Sequence, residues 1–360
     1  MSKIISIGTA VPEYRHEQKK IFEFMDRVYA PNETERRKLR FLYRHCGIET
    51  RYSIFPDYSL PANEWEFFPA SENLEPPPSL EKRMQSFREH AAPLSLKAIN
   101  NCLKDFQDQH ITHLITVSCT GMSAPGLDLE LLELWNLPVT TWRTSINFMG
   151  CYAAIHALKL ADAICRADTK ANVLIVCVEF CTLHFQNEYT PDNISSSLLF
   201  GDGAAAVLVT GNNDAEGMKI DHFYSSVILK NKQDMVWEMS STGFQLTLSS
   251  YIPDLIQEDF NQLVNEAVNG ASLHIDDITH WCIHPGGKKI LEAVHNSLKF
   301  TNGQLQHCYD VLNDYGNMSS PTVLFVLEHI KQSLNKKQDN KIFGAAFGPG
   351  LTIETFILSA

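Results

Sequence analysis

Two spacings of apolar residues alternate along this chain of 360 residues, and each predicts one kind of element. Apolar residues on successive or alternate positions predict strands. The segments of this kind are about 3–9, 111–119, 140–145, 173–178, 204–209, 278–284 and 351–358. Apolar residues three or four positions apart predict helices. These segments are about 15–46, 79–106, 126–135, 151–166, 253–270 and a stretch from 318 past 327.

The order of these elements is similar in the two parts of the chain. Each part runs strand, helix, helix, strand, and a glycine-rich turn precedes each final strand. Residues 53–79 are rich in proline and are predicted to be a loop. The pattern therefore predicts an α/β fold of two similar halves, residues 1–215 and 216–360, with sheets covered by helices.

Amino-acid composition indicates which binding partners and which cellular compartment this protein has. A net charge of −12 argues against a general nucleic-acid binder. Nine cysteines, an odd number without a Cys-x-x-Cys pair, indicate reduced thiols in a cytoplasmic protein. Residues 1–10 are typical of a first strand rather than a signal peptide. No apolar run approaches the roughly 20 residues of a membrane span.

Cys151 is the strongest candidate for chemistry. It follows Gly150 and precedes a run of small and apolar residues, which is typical of the start of a buried helix. Unpaired N–H groups and the partial positive charge of a helix start favour the thiolate, which is the nucleophilic form. The alternative is a small core residue, as most free cysteines are.

Two polar residues in glycine-marked segments complete a possible acyl-transfer set. His284 ends a strand before Pro-Gly-Gly, where it can face a cavity and hold Cys151 as an ion pair. A metal site with His280 and Cys282 is a poor alternative, because three residues along one strand reach a single metal badly. Asn317 can donate a hydrogen bond to an oxyanion, or it can simply cap a helix.

Two further features have a structural and a functional interpretation. Glu179 follows a buried strand, and it is either a structural carboxylate or an organiser of water near the thiol. Lys38, Arg40 and Arg44 belong to a basic cluster in an acidic chain. The cluster is either a solvated helix face or a dock for phosphates.

Five motifs in order resemble the type III polyketide synthases, the chalcone synthase-like branch of the thiolase fold. They are Gly-Cys-Tyr-Ala-Ala at 150–154, Leu-Phe-Gly-Asp-Gly-Ala-Ala-Ala at 199–206, Ile-His-Pro-Gly-Gly at 283–287, Tyr-Gly-Asn-Met-Ser-Ser at 315–320 and Phe-Gly-Pro-Gly-Leu-Thr-Ile-Glu-Thr at 347–355. The resemblance implies a thiolase-like fold with αβαβα layers. It also implies a cytoplasmic homodimer that uses coenzyme A thioesters, with no other cofactor and no metal.

The implied reaction loads an acyl group from acyl-CoA onto Cys151 and extends it with malonyl-CoA by decarboxylative Claisen condensation. Cyclisation then gives a pyrone, a resorcinol or a related phenol. In the resemblance, His284 and Asn317 promote decarboxylation. Phe200 is a gatekeeper, the loop of Gly348, Pro349 and Gly350 shapes the cavity wall, and Lys38, Arg40 and Arg44 bind CoA phosphates.

Departures from the plant enzymes bear on the substrate. Leu246 falls near a second gatekeeper phenylalanine, Cys119 replaces a threonine, and Ala124 replaces a methionine that crosses the dimer interface. The segments around 117–122 and 235–237 are more similar to bacterial members. We therefore expect a fatty acyl-CoA starter, or malonyl-CoA itself, with ring closure governed by cavity volume and by water near Glu179, Ser319 and Cys119.

Three other functions use the same residues. An initiating 3-ketoacyl-ACP synthase has the same Cys, His and Asn, and differs in requiring a carrier protein. A cysteine hydrolase acting on thioesters presents these residues in the same order, although residues 149–153 lack the Cys-Gly-Ser-Cys-Trp signature of the papain group. A catalytically silent binding protein predicts an unreactive Cys151.

Overall fold

The computed structural model describes residues 1–30, 32–106, 110–301, 303–335 and 337–360. Within those ranges the strands are β1 (Lys3–Ala10), β2 (Tyr14–Glu17), β3 (Thr50–Ser53), β4 (His113–Ser118), β5 (Trp142–Asn147), β6 (Asn172–Phe180), β7 (Asp202–Thr210), β8 (Met218–Val227), β9 (Met235–Ser240), β10 (Gly243–Leu248), β11 (His280–Ile283), β12 (Lys341–Gly348) and β13 (Thr352–Ser359). The α-helices are α1 (Gln18–Tyr29), α2 (Glu33–His45), α3 (Leu80–Leu103), α4 (Leu127–Leu134), α5 (Ala153–Ala167), α6 (Pro191–Leu199), α7 (Ile252–Gly270), α8 (Lys288–Ser297), α9 (Gln306–Tyr315) and α10 (Thr322–Ser333).

One sheet contains the main strands of both halves, in the order β11-β12-β13-β8-β1-β7-β6-β4-β5. In the N-terminal half, β1, β7 and β6 are successively antiparallel, and β4 runs parallel to β6. In the C-terminal half, β8, β13 and β12 are successively antiparallel, and β11 runs parallel to β12. The two halves thus repeat one topology and meet where β1 pairs with β8.

Helices form layers on and between the two half-sheets. Helix α3 packs on β1, β6 and β7, and α7 packs on β8. Helices α5 and α10 lie in the middle: α5 contacts β6 and β7 but also β13, and α10 contacts β11 and β12 but also β1 and β7. Because these two helices contact both half-sheets, they are apolar on most sides. The predicted α/β fold with two similar, helix-covered halves is confirmed.

The predicted helix over 15–46 is wrong in its continuity. The structure divides this segment into the short strand β2 and two helices, α1 and α2. Asn32 caps α2, where its side chain accepts a hydrogen bond from the backbone N–H of Glu35 at 3.0 Å. The sequence pattern also missed β2, β3, β8, the β9–β10 hairpin, α6, α8 and α9, whose apolar spacing is weak or short. It missed β12 as well, because this strand occupies most of the segment that was predicted to be the glycine-rich turn before the last strand.

No helix in the described ranges is both long enough and apolar enough to cross a bilayer.

Candidate active site

Cys151 lies in a tight 3-10 turn, Gly150–Tyr152, that leads directly into α5. The predicted position of this cysteine at the start of a buried helix is therefore confirmed. Gly150 has a φ of +79°, and a Cβ atom there would lie 2.2 Å from Cδ of Pro349. Only glycine fits at this point, because the Pro349 segment leaves no room for a side chain at the residue before the thiol.

The turn is held from the other half of the molecule by the loop of Gly348, Pro349 and Gly350. A Cβ on Gly348 would lie 2.5 Å from Cδ1 of Tyr152, so the loop backbone rests against the turn. Pro349 is the loop residue that lines the cavity described below. The loop was predicted to shape the cavity wall. The structure brings its proline to that wall and places Gly348 in close contact with Tyr152.

His284 extends β11 by one residue, and its backbone N–H donates to the carbonyl of Ala345 at 2.8 Å. Its side chain is 1% exposed. In the described part of the chain neither Nδ1 nor Nε2 has a hydrogen-bond partner. Both nitrogens are therefore available to a bound molecule.

Asn317 sits between α9 and α10 and is fixed on both sides of its backbone. Its N–H donates to the carbonyl of Leu199 at 2.9 Å, and its carbonyl accepts from Gly201 at 3.0 Å. Its Oδ1 accepts from the N–H of Ser319 at 2.8 Å, and its Nδ2 donates to the carbonyl of Gly286 at 3.3 Å. The alternative of a simple helix cap is wrong, because α10 begins five residues later at Thr322.

Cys151, His284 and Asn317 line one cavity of about 700 Å³. Cys151 comes from the N-terminal half and the other two come from the C-terminal half, and the structure brings all three together as predicted. Ser319 also lines this cavity, with a left-handed backbone at a φ of +58° that turns its side chain with that of Asn317 toward the thiol. A left-handed non-glycine residue is strained, and such residues gather at functional sites.

Burial acts on each member of the predicted ion pair. It raises the pKa of the Cys151 thiol to about 12, against the opposing hydrogen bonds of Ser319 and Asn317. It also lowers the pKa of His284 to about 3. The apolar cavity therefore disfavours a thiolate or an imidazolium that stands alone, and an ion pair there requires each charge to compensate the other.

Glu179 lies behind the cavity wall rather than in it. The residue is fully buried. Its carboxylate accepts hydrogen bonds from the N–H of Cys119 and the hydroxyl of Thr120, both at 2.9 Å. It also accepts one from the hydroxyl of Ser320 at 3.0 Å. Burial raises the pKa of this carboxyl to about 7. Its predicted place among the substrate-contacting residues is wrong, because it joins the ends of two segments beneath the site.

The other predicted cavity residues do line it. Phe200, Leu246 and Cys119 are all in the wall. The Cys119 sulfur accepts a hydrogen bond from the N–H of Gly150 at 3.1 Å, so it supports the turn of the candidate nucleophile.

Exposed residues mark the opening of the cavity. They are Phe41, Leu42 and His45 of α2, together with Lys288 and Lys289 at the start of α8. In the described ranges, the residues predicted to bind CoA phosphates do not line this opening. Arg40 and Arg44 line a separate groove, and Lys38 pairs with Glu35 at 2.8 Å.

This correction follows from helix geometry. Residues three or four apart share a face of a helix, so 38, 41, 42 and 45 lie on one face while 40 and 44 lie on the face toward α1. The sequence identified the right helix, but Arg40 and Arg44 lie on the face away from the cavity. His184 and Trp237, which also line the cavity, were not singled out; a histidine four residues beyond a buried strand was the available signal.

A possible metal site was a further alternative. In the part of the chain that the structure describes, no group of three His, Cys, Asp or Glu side chains is placed to hold a metal ion. Cys282 instead donates to the carbonyl of Val323 at 3.4 Å.

Known proteins share this fold and match this sequence. Residues 1–213 match the family model of the N-terminal domain of chalcone and stilbene synthases, and residues 222–360 match that of their C-terminal domain. The chain belongs to the chalcone and stilbene synthase family, and it is a type III polyketide synthase.

Individual relatives agree with this assignment. The chain is 33% identical to "Alpha-pyrone synthesis polyketide synthase-like Pks18" of Mycobacterium tuberculosis, over 77% of this chain and 73% of that protein. It is 29% identical to "Probable polyketide synthase 1" of Dictyostelium discoideum, over 98% of this chain but only 11% of that protein's length. The solved C-terminal type III polyketide synthase domain of Steely1 from Dictyostelium superposes with a TM-score of 0.91 at 28% identity, covering 99% of both chains.

Proposed function

We propose that this chain transfers an acyl group from a coenzyme A thioester to Cys151 and extends it with malonyl-CoA by decarboxylative condensation. The observation that carries the proposal is the convergence of Cys151, His284 and Asn317 on one cavity, where neither imidazole nitrogen has a hydrogen-bond partner among the described residues. A thiol suits both steps, since sulfur is a nucleophile during loading and a leaving group during condensation.

Loading starts from a neutral pair. As the Cys151 sulfur attacks the thioester carbonyl, its proton passes to His284, and the S–C bond to the enzyme forms. The bond between the carbonyl carbon and the CoA sulfur then breaks, and the departing CoA sulfur takes that proton from His284. Because each charge alone is disfavoured by burial, the transfer of the proton is coupled to the attack.

Extension then needs hydrogen-bond donors rather than a strong base. Loss of CO2 from the malonyl thioester breaks a C–C bond and leaves an enolate. A neutral His284 donates from one nitrogen, and Asn317 donates from Nδ2, to the enolate oxygen. The enolate carbon attacks the Cys151 thioester, a new C–C bond forms, and the cysteine sulfur departs.

The opening supports a CoA carrier. His45, Lys288 and Lys289 offer positive or protonatable groups there in a chain of net charge −12. Phe41 and Leu42 offer apolar surface beside them. We assign the phosphates of CoA to this rim in place of Lys38, Arg40 and Arg44, and we assign no other cofactor and no metal.

A fatty acyl starter that yields an alkylpyrone or alkylresorcinol fits the cavity wall best. Leu246 and Phe200, with Met235, Trp237 and Leu248, make the wall largely apolar. A volume of about 700 Å³ lies within the usual range for small-molecule sites. The name of the mycobacterial relative, which refers to α-pyrone synthesis, supports the same product class.

A homodimer and a cytoplasmic location are further parts of this proposal, as is the division of the chain into halves between residues 215 and 216.

The dimer is supported by an exposed sheet edge. Strand β5 lies at that edge and is exposed along most of its length, and the apolar side chains of Trp142, Val139 and Leu134 around it are exposed. Such an edge is a template for pairing with another chain. A second copy of this chain is the occupant we propose, and sedimentation at micromolar concentration tests it.

The central experiment incubates the purified protein with octanoyl-CoA and malonyl-CoA, with no carrier protein, and identifies the products by mass. We expect products longer than the octanoyl starter, together with release of CO2. Strict dependence on an acyl carrier protein would favour the ketoacyl synthase, and free octanoic acid as the sole product would favour a hydrolase. Absence of any Cys151 adduct would favour a silent binding protein.

A further inference from the structure

A small side chamber opens from the main cavity beside Phe200 and Leu246. We call it the niche, and its defining polar residues are Arg51, His184 and Trp237. It shares His184, Trp237, Phe200 and Leu246 with the main cavity. Its volume is about 30 Å³, which holds one or two groups the size of a water molecule. An alkyl tail or an aromatic ring does not fit.

Three buried polar atoms of the niche lack a hydrogen-bond partner within the described residues. They are Nη2 of Arg51, Nε2 of His184 and Nε1 of Trp237. Buried polar groups are nearly always paired, so three orphans around one chamber require a reason.

The orphans call for a partner that accepts hydrogen bonds. Guanidinium and indole nitrogens are donors only. Arg51 is 4% exposed, and its other nitrogens are engaged: Nε donates to Gln18 at 3.0 Å, and Nη1 donates to the carbonyl of Phe200. The remaining N–H groups therefore await an acceptor such as an oxygen atom, and they repel a cation.

The niche is rigid. Trp237 stacks on Phe244 with ring centroids 5.5 Å apart, and His184 lies 4.4 Å from Trp237 and 4.8 Å from Phe244. Gln186 donates to the carbonyl of Phe244 at 3.0 Å and so anchors β10. The donors are thus held in place before any ligand arrives, which reduces the entropy lost on binding.

We propose that the niche binds a ketone or enolate oxygen of the β-keto chain growing on Cys151, and thereby favours products with more extensions. This inference rests on the proposed function, because only repeated condensation supplies such oxygens at a distance from the thioester. The small volume selects a single oxygen-bearing unit, and the apolar remainder of the cavity is left to the starter.

The test compares Trp237→Phe, which keeps an aromatic ring and removes the N–H, with the wild type. The substrates are octanoyl-CoA, which brings no oxygen beyond its thioester, and malonyl-CoA. The ratio of longer to shorter products is expected to fall about threefold to tenfold, the effect of one lost buried hydrogen bond. A mere gain of space would change the ratio in the opposite direction.

Trp65→Phe is the matched control. Its Nε1 donates to the carbonyl of Leu60 at 3.0 Å, away from the cavity, so the product ratio is expected to stay at the wild-type value. His184→Phe is a second niche variant, expected to shift the ratio in the same direction as Trp237→Phe. It decides the matter if Trp237→Phe does not fold.

The outcomes separate the two proposals. Lack of an octanoyl adduct on wild-type Cys151, read by intact mass, defeats the proposed function itself. An adduct with a wild-type product ratio in the folded niche variants defeats only the niche. A ratio that changes with 8-hydroxyoctanoyl-CoA but not with octanoyl-CoA assigns the niche to a starter oxygen, and it also overturns our assignment.

Discussion

The two halves of this protein share one topology but contribute opposite kinds of chemistry. Strands β4 and β11 occupy the same place in their half-sheets, each parallel to its neighbour. Cys119 directly follows the first and His284 directly follows the second. The Cys119 sulfur is occupied by the N–H of Gly150, whereas His284 has unpaired nitrogens in the described part of the chain.

The segments before the two central helices show the same contrast. Cys151 precedes α5 in a turn that starts at Gly150, with a φ of +79°, and Asn317 precedes α10 after Gly316, with a φ of +68°. The N-terminal turn is braced by the Pro349 ring and by the Cys119 sulfur, and it presents a sulfur. The C-terminal segment presents donors. The fold thus builds a nucleophile in one half and its electrostatic support in the other.

Removing the nucleophile breaks the comparison most completely. Cys151→Ala is expected to lose all acyl-enzyme, because in this proposal no other thiol at the cavity replaces it. Intact mass after exposure to octanoyl-CoA measures the adduct, and circular dichroism checks that the fold survives. An adduct still present on the variant places the nucleophile elsewhere, with Cys119 and Cys181 of the cavity wall as the next candidates.

Removing a donor from the other half is expected to have the next largest effect. Asn317→Leu takes away a hydrogen bond to the enolate, and CO2 release from malonyl-CoA should fall about 10²- to 10³-fold. Loading of Cys151 should be affected far less, because the enolate forms only in extension. Equal losses in both steps contradict the division of labour between the halves.

The protonation state of Cys151 before substrate binds can be tested through the pH dependence of its alkylation. With the pKa of Cys151 raised to about 12, thiolate is rare at neutral pH and increases tenfold for each pH unit. Alkylation at Cys151 by iodoacetamide should therefore rise about a hundredfold between pH 7 and pH 9. Peptide mapping distinguishes this site from the buried cysteines. A plateau reached below pH 7 means a stable ion pair instead.

Glu179 tests whether the two halves are also coupled in stability. It binds Cys119 of one half and Ser320 of the other, and its pKa is raised from 4.5 to about 7 in the folded state. A raised folded pKa means that stability is fully present below pH 4.5 and is lost as pH rises through 7. The loss is at most about 3 kcal/mol.

Glu179→Gln is expected to remove this loss, since a neutral amide keeps an acceptor for Cys119 and the Ser320 hydroxyl can accept from its N–H. Urea unfolding at pH 5 and pH 8 measures the free energy of unfolding. Exposed Glu258→Gln serves as the control for the loss of one carboxylate. If both variants follow the wild-type pH dependence, Glu179 does not titrate in this range.

Substitutions at the rim of the cavity opening are expected to have the smallest effect on activity. Reversing charge with Lys288→Glu and Lys289→Glu is expected to raise KM for octanoyl-CoA about fivefold to tenfold, because exposed charges are screened by solvent and salt. The effect should shrink at high ionic strength. Arg40→Glu with Arg44→Glu, in the separate groove, changes the charge equally and should leave KM unchanged. The reverse ranking would restore the sequence-based assignment.

The sequence by itself determined the class of fold and the residues that carry the chemistry. Strands such as β4, β6 and β7 are continuous apolar runs because they are covered on both faces. Gly150, Gly316 and Gly348 recur beside the chemical residues because a Cβ at each would clash with a packed neighbour, which is Pro349, Leu199 and Tyr152 in turn. These constraints act on neighbours along the chain, so they leave local marks that a pattern reveals.

Only the tertiary structure decided what faces what. It placed Glu179 beneath the cavity, turned Arg40 and Arg44 toward a separate groove, and brought Lys288 and Lys289 to the rim. It also raised the pKa of Cys151 where a helix start alone suggested the reverse. Burial, helix rotation and desolvation depend on segments far apart in the chain, and the spacing of residues along one segment carries no record of them.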